Sequence, residues 1–122
     1  MKSIFRFLDF KVYQDAREFQ KKIFNLSEKF PKEYQFNLVS QIQRSSVSVL
    51  LNIAEGSAKD SDKEFARFLK ISLGSLNETL AGLDIARFNG LISEDEFNSS
   101  KEELLEIANQ LGGFLKKLKA KC

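Results

Sequence analysis

Histidine and tryptophan are absent from the chain, and proline and cysteine each occur once. Without histidine there is no imidazole base, no common zinc ligand and no Glu-x-x-His pair of the di-iron bundles. Triads built on imidazole are excluded as well. Neither a Gly-x-x-x-x-Gly-Lys loop nor a dinucleotide fingerprint is present. The run from Lys70 to Ser75 sits inside a helical pattern, so Gly74 is not a phosphate-binding turn. Catalytic residues, cofactors and metals are therefore not expected, and the acidic pairs Asp84 with Glu78 and Glu102 with Glu106 are read as solvated helix faces. One proline and six glycines supply few tight turns, which disfavours an all-β fold. Cys122 is the single cysteine, so no disulfide forms within the chain, and an inert exposed thiol is expected. No apolar run approaches the about 20 residues that cross a bilayer. Arg6 and Asp9 interrupt the opening apolar residues too early for a signal peptide. A cytoplasmic location is the expectation.

What remains is helical. The 122 residues, 43% of them hydrophobic, suit one domain over 1–122. Val12, Ala16, Phe19, Ile23, Leu26 and Phe30 recur every three or four residues and predict a first helix over about 10–29, stopped by Pro31. A second helix is predicted over about 34–55, with Gly56 in the left-handed cap position. Ser61 to Glu64 reads as a capping box that opens a third helix over about 62–89, with Phe65, Leu69, Leu73, Leu76, Leu80 and Leu83 inward and an end near Gly90. Ser93 to Glu96 repeats the box and opens a fourth helix over about 94–119, with Phe97, Leu104, Ala108, Leu111, Leu115 and Leu118 inward. Gly74 and Gly82 are expected to admit a close neighbour, and Gly112-Gly113 to loosen the fourth helix. Three short connections between helices of similar length predict an all-α, up-down-up-down antiparallel four-helix bundle.

The second helix is unusual, because Arg44 is its only charge between Tyr34 and Ala54. At roughly 100° per residue its apolar residues cover well over half of the circumference. One inward seam needs an arc of about 100° or somewhat more. The excess predicts a second partner, most simply another copy of the chain. The remaining polar stripe, Gln41, Ser45, Ser48, Asn52 and Glu55 beside Arg44, is the expected subunit interface, since uncharged side chains hydrogen-bond without the desolvation cost of a charge. Glu55 faces the negative end of the helix dipole, so Arg44 of another copy or Lys59 of the same chain is the expected counter-ion.

Charge is distributed unevenly although the net is only +2. Residues 1–32 hold eight basic and four acidic side chains, whereas Glu94–Glu106 holds six acidic and one basic. Lys59, Lys63, Arg67 and Lys70 form a stripe on the third helix and the loop before it, with Arg44 as an added cation. Arg17 with Lys21 and the terminal Lys116, Lys117, Lys119 and Lys121 form smaller groups. Such stripes suit the phosphate backbone of RNA or DNA, and repetition in an oligomer would multiply a weak contact. The alternative is a protein-directed scaffold or adaptor that docks a partner on the polar stripe or on the acidic start of the fourth helix.

The segment Ser40-Gln41-Ile42-Gln43-Arg44-Ser45-Ser46-Val47-Ser48-Val49-Leu50-Leu51-Asn52-Ile53-Ala54-Glu55-Gly56 resembles the signature of the 23S rRNA intervening-sequence proteins. The likeness continues through Ser61, Phe65, Phe68 to Ile71 and Gly74 to Glu78, and through Leu8 to Ala16 and Phe30 to Glu33 at the front. It departs from that pattern at Gln43, where arginine is common, at Ser45-Ser46, where two alanines are usual, and at Lys59, often arginine. The resemblance implies a four-helix subunit in a pentameric ring. It also implies partners: a related branch serves diversity-generating retroelements, where a basic pentamer binds nucleic acid and a reverse transcriptase.

Overall fold

A computed structural model describes residues 4–121, with the side chains of Ala120 and Lys121 left out. Met1–Ser3 and the Cys122 thiol lie outside the described residues. Four helices follow one another: α1 (Lys11–Ser27), α2 (Ser40–Ser57), α3 (Asp62–Phe88) and α4 (Glu94–Lys121). No strand occurs among the described residues. Each helix runs antiparallel to the next. The Gln43 amide meets Ser27 Oγ at 3.1 Å, Ser45 meets Thr79 at 2.7 Å and Arg87 reaches Glu94 at 3.4 Å. Lys22 meets Glu103 at 2.9 Å and closes α4 back onto α1.

The predicted seams are the core. Val12, Ala16, Phe19, Ile23 and Phe30 are buried against Phe65, Leu69, Leu76 and Leu83, and against Phe97, Leu104, Leu111 and Leu118. Leu26, Leu73, Leu80, Ala108 and Leu115 pack at its margin. Emptying any one fully buried leucine position to alanine costs about 2–5 kcal/mol.

Turns and caps follow local chemistry. The Ser93 box is complete, with Ser93 Oγ accepting from Glu96 N–H at 3.0 Å and the Glu96 carboxylate accepting from Ser93 N–H at 2.9 Å. The Ser61 box is half made: Ser61 Oγ caps Glu64 N–H at 3.1 Å, but the Glu64 carboxylate turns to Arg67 instead. Gly90, at φ 74°, ends α3 in the left-handed conformation that suits glycine.

Two expectations need correction. Gly56 is no left-handed cap; it lies inside α2. A Cβ there would stand 2.8 Å from Phe68 Cβ and 2.9 Å from Phe65 Cδ1, so glycine serves close approach of α3. The second helix is not continuous from Tyr34 either. A 3₁₀ turn (Lys32–Tyr34) and a π turn (Gln35–Val39) precede α2. Side chains compete for the backbone here: Leu38 N–H is taken by Asn37 Oδ1, and the Gln35 amide donates to Phe30 O at 2.9 Å. The wider turn buries Val39 and leaves Phe36 outside.

The opening segment is a 3₁₀ turn (Arg6–Asp9) strapped across one end of the bundle. The Arg6 guanidinium donates to Ser57 O at 3.2 and 3.0 Å and lies over the rings of Phe10 and Phe65.

Candidate functional site

Close packing of α2 on α3 determines where the polar stripe points. Gly82 faces Ile42 so tightly that an added Cβ would stand 2.6 Å from Ile42 Cγ1. Around this contact runs a ladder of hydroxyls. Ser45 Oγ pairs with Thr79 Oγ1, Ser72 Oγ donates to Val49 O at 2.9 Å, and Ser75 Oγ donates to Ser48 Oγ at 2.9 Å. Asn52 donates to Ser48 O and Oγ at 2.8 and 3.1 Å. Ser45 is only 2% exposed, which corrects its assignment to a subunit interface: its hydroxyl is spent inside the chain. Ser48 and Asn52 are half-buried on the same flank, turned to α3. Gln41 and Glu55 are exposed, and Glu55 takes the second expected counter-ion, Lys59 of its own chain at 3.5 Å.

With Ser45 spent against α3, the outward edge of α2 mixes exposed apolar side chains with Ser40, Gln43 and Arg44. Phe36 is 92% exposed and Leu51 63%, with Val47 half-buried between them. They line an open hollow of about 700 Å³ together with Phe24 of α1, Arg44, Ser48 and Asn52. The neighbouring outer edge of α3 exposes Phe88 at 91%, Ile85 at 50% and Ile71 at 41%. Single exposed apolar residues are ordinary, but grouped ones mark contact surfaces. Sequence reading missed the α3 edge because its leucine seam dominated the pattern. The signal was the seven-residue spacing of Ile71, Glu78 and Ile85 on the opposite phase.

The candidate nucleic-acid residues do not form one free cationic surface. Arg44 stands alone on the outer edge of α2, apart from the α3 stripe. Lys59 and Arg67 flank the Phe68 ring at 5.1 and 4.5 Å and are paired with Glu55 and Glu64. Lys63 and Lys70 are exposed with no acidic partner among the described residues. Residues 55–70 hold four cations and four carboxylates, Glu55, Asp60, Asp62 and Glu64, so that segment carries no net charge.

The carboxylates singled out in the sequence, Glu78, Asp84, Glu102 and Glu106, are all exposed. Asp84 is bridged by Arg87, which also reaches Glu94 and lies 3.8 Å from the Phe97 ring centre, locking the α3–α4 turn. Asp15 accepts from Lys11 Nζ at 2.7 Å and from the Gln110 amide at 2.8 Å. The Lys11 bond, then that of Gln110, holds the Asp15 carboxyl below its ordinary value, and the bond to Asp15 raises Lys11. Both belong to a charged groove of about 310 Å³ between α1 and α4. Among the described residues no cluster of three or more His, Cys, Asp or Glu side chains is placed to hold a metal ion. No described helix is long and apolar enough to cross a membrane.

Comparison with known proteins agrees with this architecture. The family described as 23S rRNA-intervening sequence protein matches residues 8–113. The chain belongs to that family. A crystal structure of a protein of unknown function from the S23 ribosomal protein family of Bacteroides thetaiotaomicron VPI-5482 superposes with a TM-score of 0.79 at 29% identity, covering 86% of this chain and 95% of the other. Among curated proteins none matches. The family match covers α1, α2 and α3 and reaches into α4 as far as Gly113.

Proposed function

We propose that this member of the 23S rRNA-intervening sequence family is a non-enzymatic assembly module that associates with copies of itself, a pentamer being preferred. The outer edges of α2 and α3 carry the contact, and the oligomer displays a repeated surface to a further partner. The observation that carries this is the near-complete exposure of Phe36 and Phe88 beside Leu51, Ile71 and Ile85. Covering one large apolar side chain contributes about 1.5–3 kcal/mol, so a contact that takes in several is worth far more than a scattered surface residue. Sedimentation velocity over a dilution series tests it. An assembly is expected at micromolar concentration, and a 14.0 kDa monomer throughout would refute it.

A second reading assigns the repeated surface to an RNA or DNA backbone. It is favoured by Lys63 and Lys70, whose ammonium groups have no acidic partner among the described residues, and by the family's connection with ribosomal RNA. Binding to generic RNA should then weaken steeply as salt rises. Absence of binding at low salt, where screening is weakest, leaves the protein-directed adaptor as the partner class. The neutral balance of residues 55–70 favours that adaptor role for the isolated subunit.

A further inference from the structure

On its outer surface the seam between α1 and α4 is spanned by a ladder of polar side chains. Lys22 reaches Glu103 at 2.9 Å, Lys11 reaches Glu106 at 3.9 Å, and the Gln110 amide donates to Asp15 at 2.8 Å. On α4 the rungs start at 103, 106 and 110, steps of three and four along one face. The next position in that series is Gly113, which has no side chain to continue the ladder. Where the rung is missing, a slot of about 340 Å³ opens, lined by Phe10, Val12 and Phe114 with Lys11 and Lys117. Nothing in the chain itself requires glycine at 113. Its φ is not positive, and an added Cβ would meet nothing within 4 Å. Glycine weakens a helix interior relative to alanine, so the open position brings no return inside the bundle.

We propose that this slot binds a medium-chain carboxylate, its chain lying on Phe10, Val12 and Phe114 and its anionic end meeting Lys117. Charge complementarity selects the anion, because both charged groups on the slot are cations. Lys11 is held by Asp15, whereas Lys117 is exposed with no acidic partner among the described residues. The volume lies at the lower end of the about 300–1,000 Å³ of small-molecule sites, which suits a single chain. A peptide segment fits less well. Helix backbones have their own N–H and C=O groups paired, so the amides of a docked peptide would lose water without gaining partners. An acyl chain carries no such groups. The slot lies within one chain and away from the outer edges of α2 and α3, so it stands independently of how copies assemble.

Titration calorimetry with decanoate tests the site. Saturable binding is expected, with a dissociation constant of about 1 mM or tighter. Hexanoate, four methylenes shorter, should bind at least about tenfold more weakly. Lys117→Glu, at an exposed position, should reverse the wild-type preference for decanoate over decyltrimethylammonium. Gly113→Leu should fill the slot and abolish saturable binding without lowering the urea midpoint, since its Cβ enters open space. A diazirine-bearing decanoate should crosslink within residues 10–12 or 110–117. Circular dichroism establishes that both variants fold, and Lys117→Glu decides where Gly113→Leu does not. No saturation at about ten times the expected concentration overturns the proposal, as does a preference unchanged by Lys117→Glu. Binding retained in a folded Gly113→Leu protein, or crosslinks confined to the outer edges of α2 and α3, overturns it too. Tighter binding of an acetylated Leu-Leu-Asp-Leu peptide than of decanoate would assign the slot to a protein segment instead.

Discussion

Replacing Gly82 by alanine tests the closeness of α2 and α3. The new Cβ would stand 2.6 Å from Ile42 Cγ1 and 3.4 Å from Cδ1. Ile42 is buried and β-branched, and in a helix one rotamer dominates for such side chains, so it cannot swing aside cheaply. Relief must come from separating the helices, which strains the Ser45–Thr79 and Ser72–Val49 bonds on either side. Overpacking of this kind costs about 1–3 kcal/mol. Against it stands the gain of about 0.8–1 kcal/mol from placing alanine rather than glycine in a helix. The net expectation is a loss of up to about 2 kcal/mol, or several degrees in Tm. Gly113→Ala is the control, since a Cβ there meets nothing within 4 Å, and it should stabilise by about 0.5–1 kcal/mol. Urea unfolding at one fixed protein concentration measures both, because association contributes to apparent stability. A Gly82→Ala protein as stable as Gly113→Ala would refute the reasoning.

Ser93→Ala removes the cap of α4 and should cost about 1 kcal/mol, read from the urea midpoint. Ser45→Ala should cost no more than about 1 kcal/mol by the same measurement, because Thr79 keeps its bond to Ser75 O at 2.9 Å. Arg6→Ala should release the opening turn, seen as faster amide exchange in residues 6–10 with little change elsewhere. Asp15 has a depressed folded-state value, so its contribution is present above the ordinary carboxylate value of 3.8 and is lost as pH falls through the lower folded one. Wild type should therefore lose more stability than Asp15→Asn on acidification from about pH 5 to pH 3, measured by urea midpoints at each pH.

The bundle was legible because local signals agreed with one another. The leucine and phenylalanine seams, the Ser93 box and Gly90 all stand where spacing and capping chemistry put them. The excess apolar girth of α2 was legible too, but its orientation was not. A helical wheel gives angles about one axis and cannot say which arc a neighbour takes. It was Gly82 against Ile42, and Gly56 against Phe65 and Phe68, that drew α3 over Ser45 and against Ser48, while Gln41, Arg44 and Glu55 stayed exposed. The basic stripe looked like a free surface because spacing alone ignores carboxylates three and four residues away. Glu64 and Glu55 neutralise Arg67 and Lys59 through those local pairs. The π turn before α2 was hidden for a different reason: Asn37 takes the Leu38 N–H that a helix would otherwise use.

Side-chain footprinting of the intact protein tests most directly whether the outer edges of α2 and α3 are covered by another copy. Phe5, 63% exposed at the far end of the bundle from Phe36 and Phe88, serves as the internal reference. Covered edges predict that Phe36 and Phe88 react with hydroxyl radicals several-fold more slowly than Phe5. Reaction of both faster than Phe5, in the order of their 92% and 91% exposure in the lone chain, would contradict it.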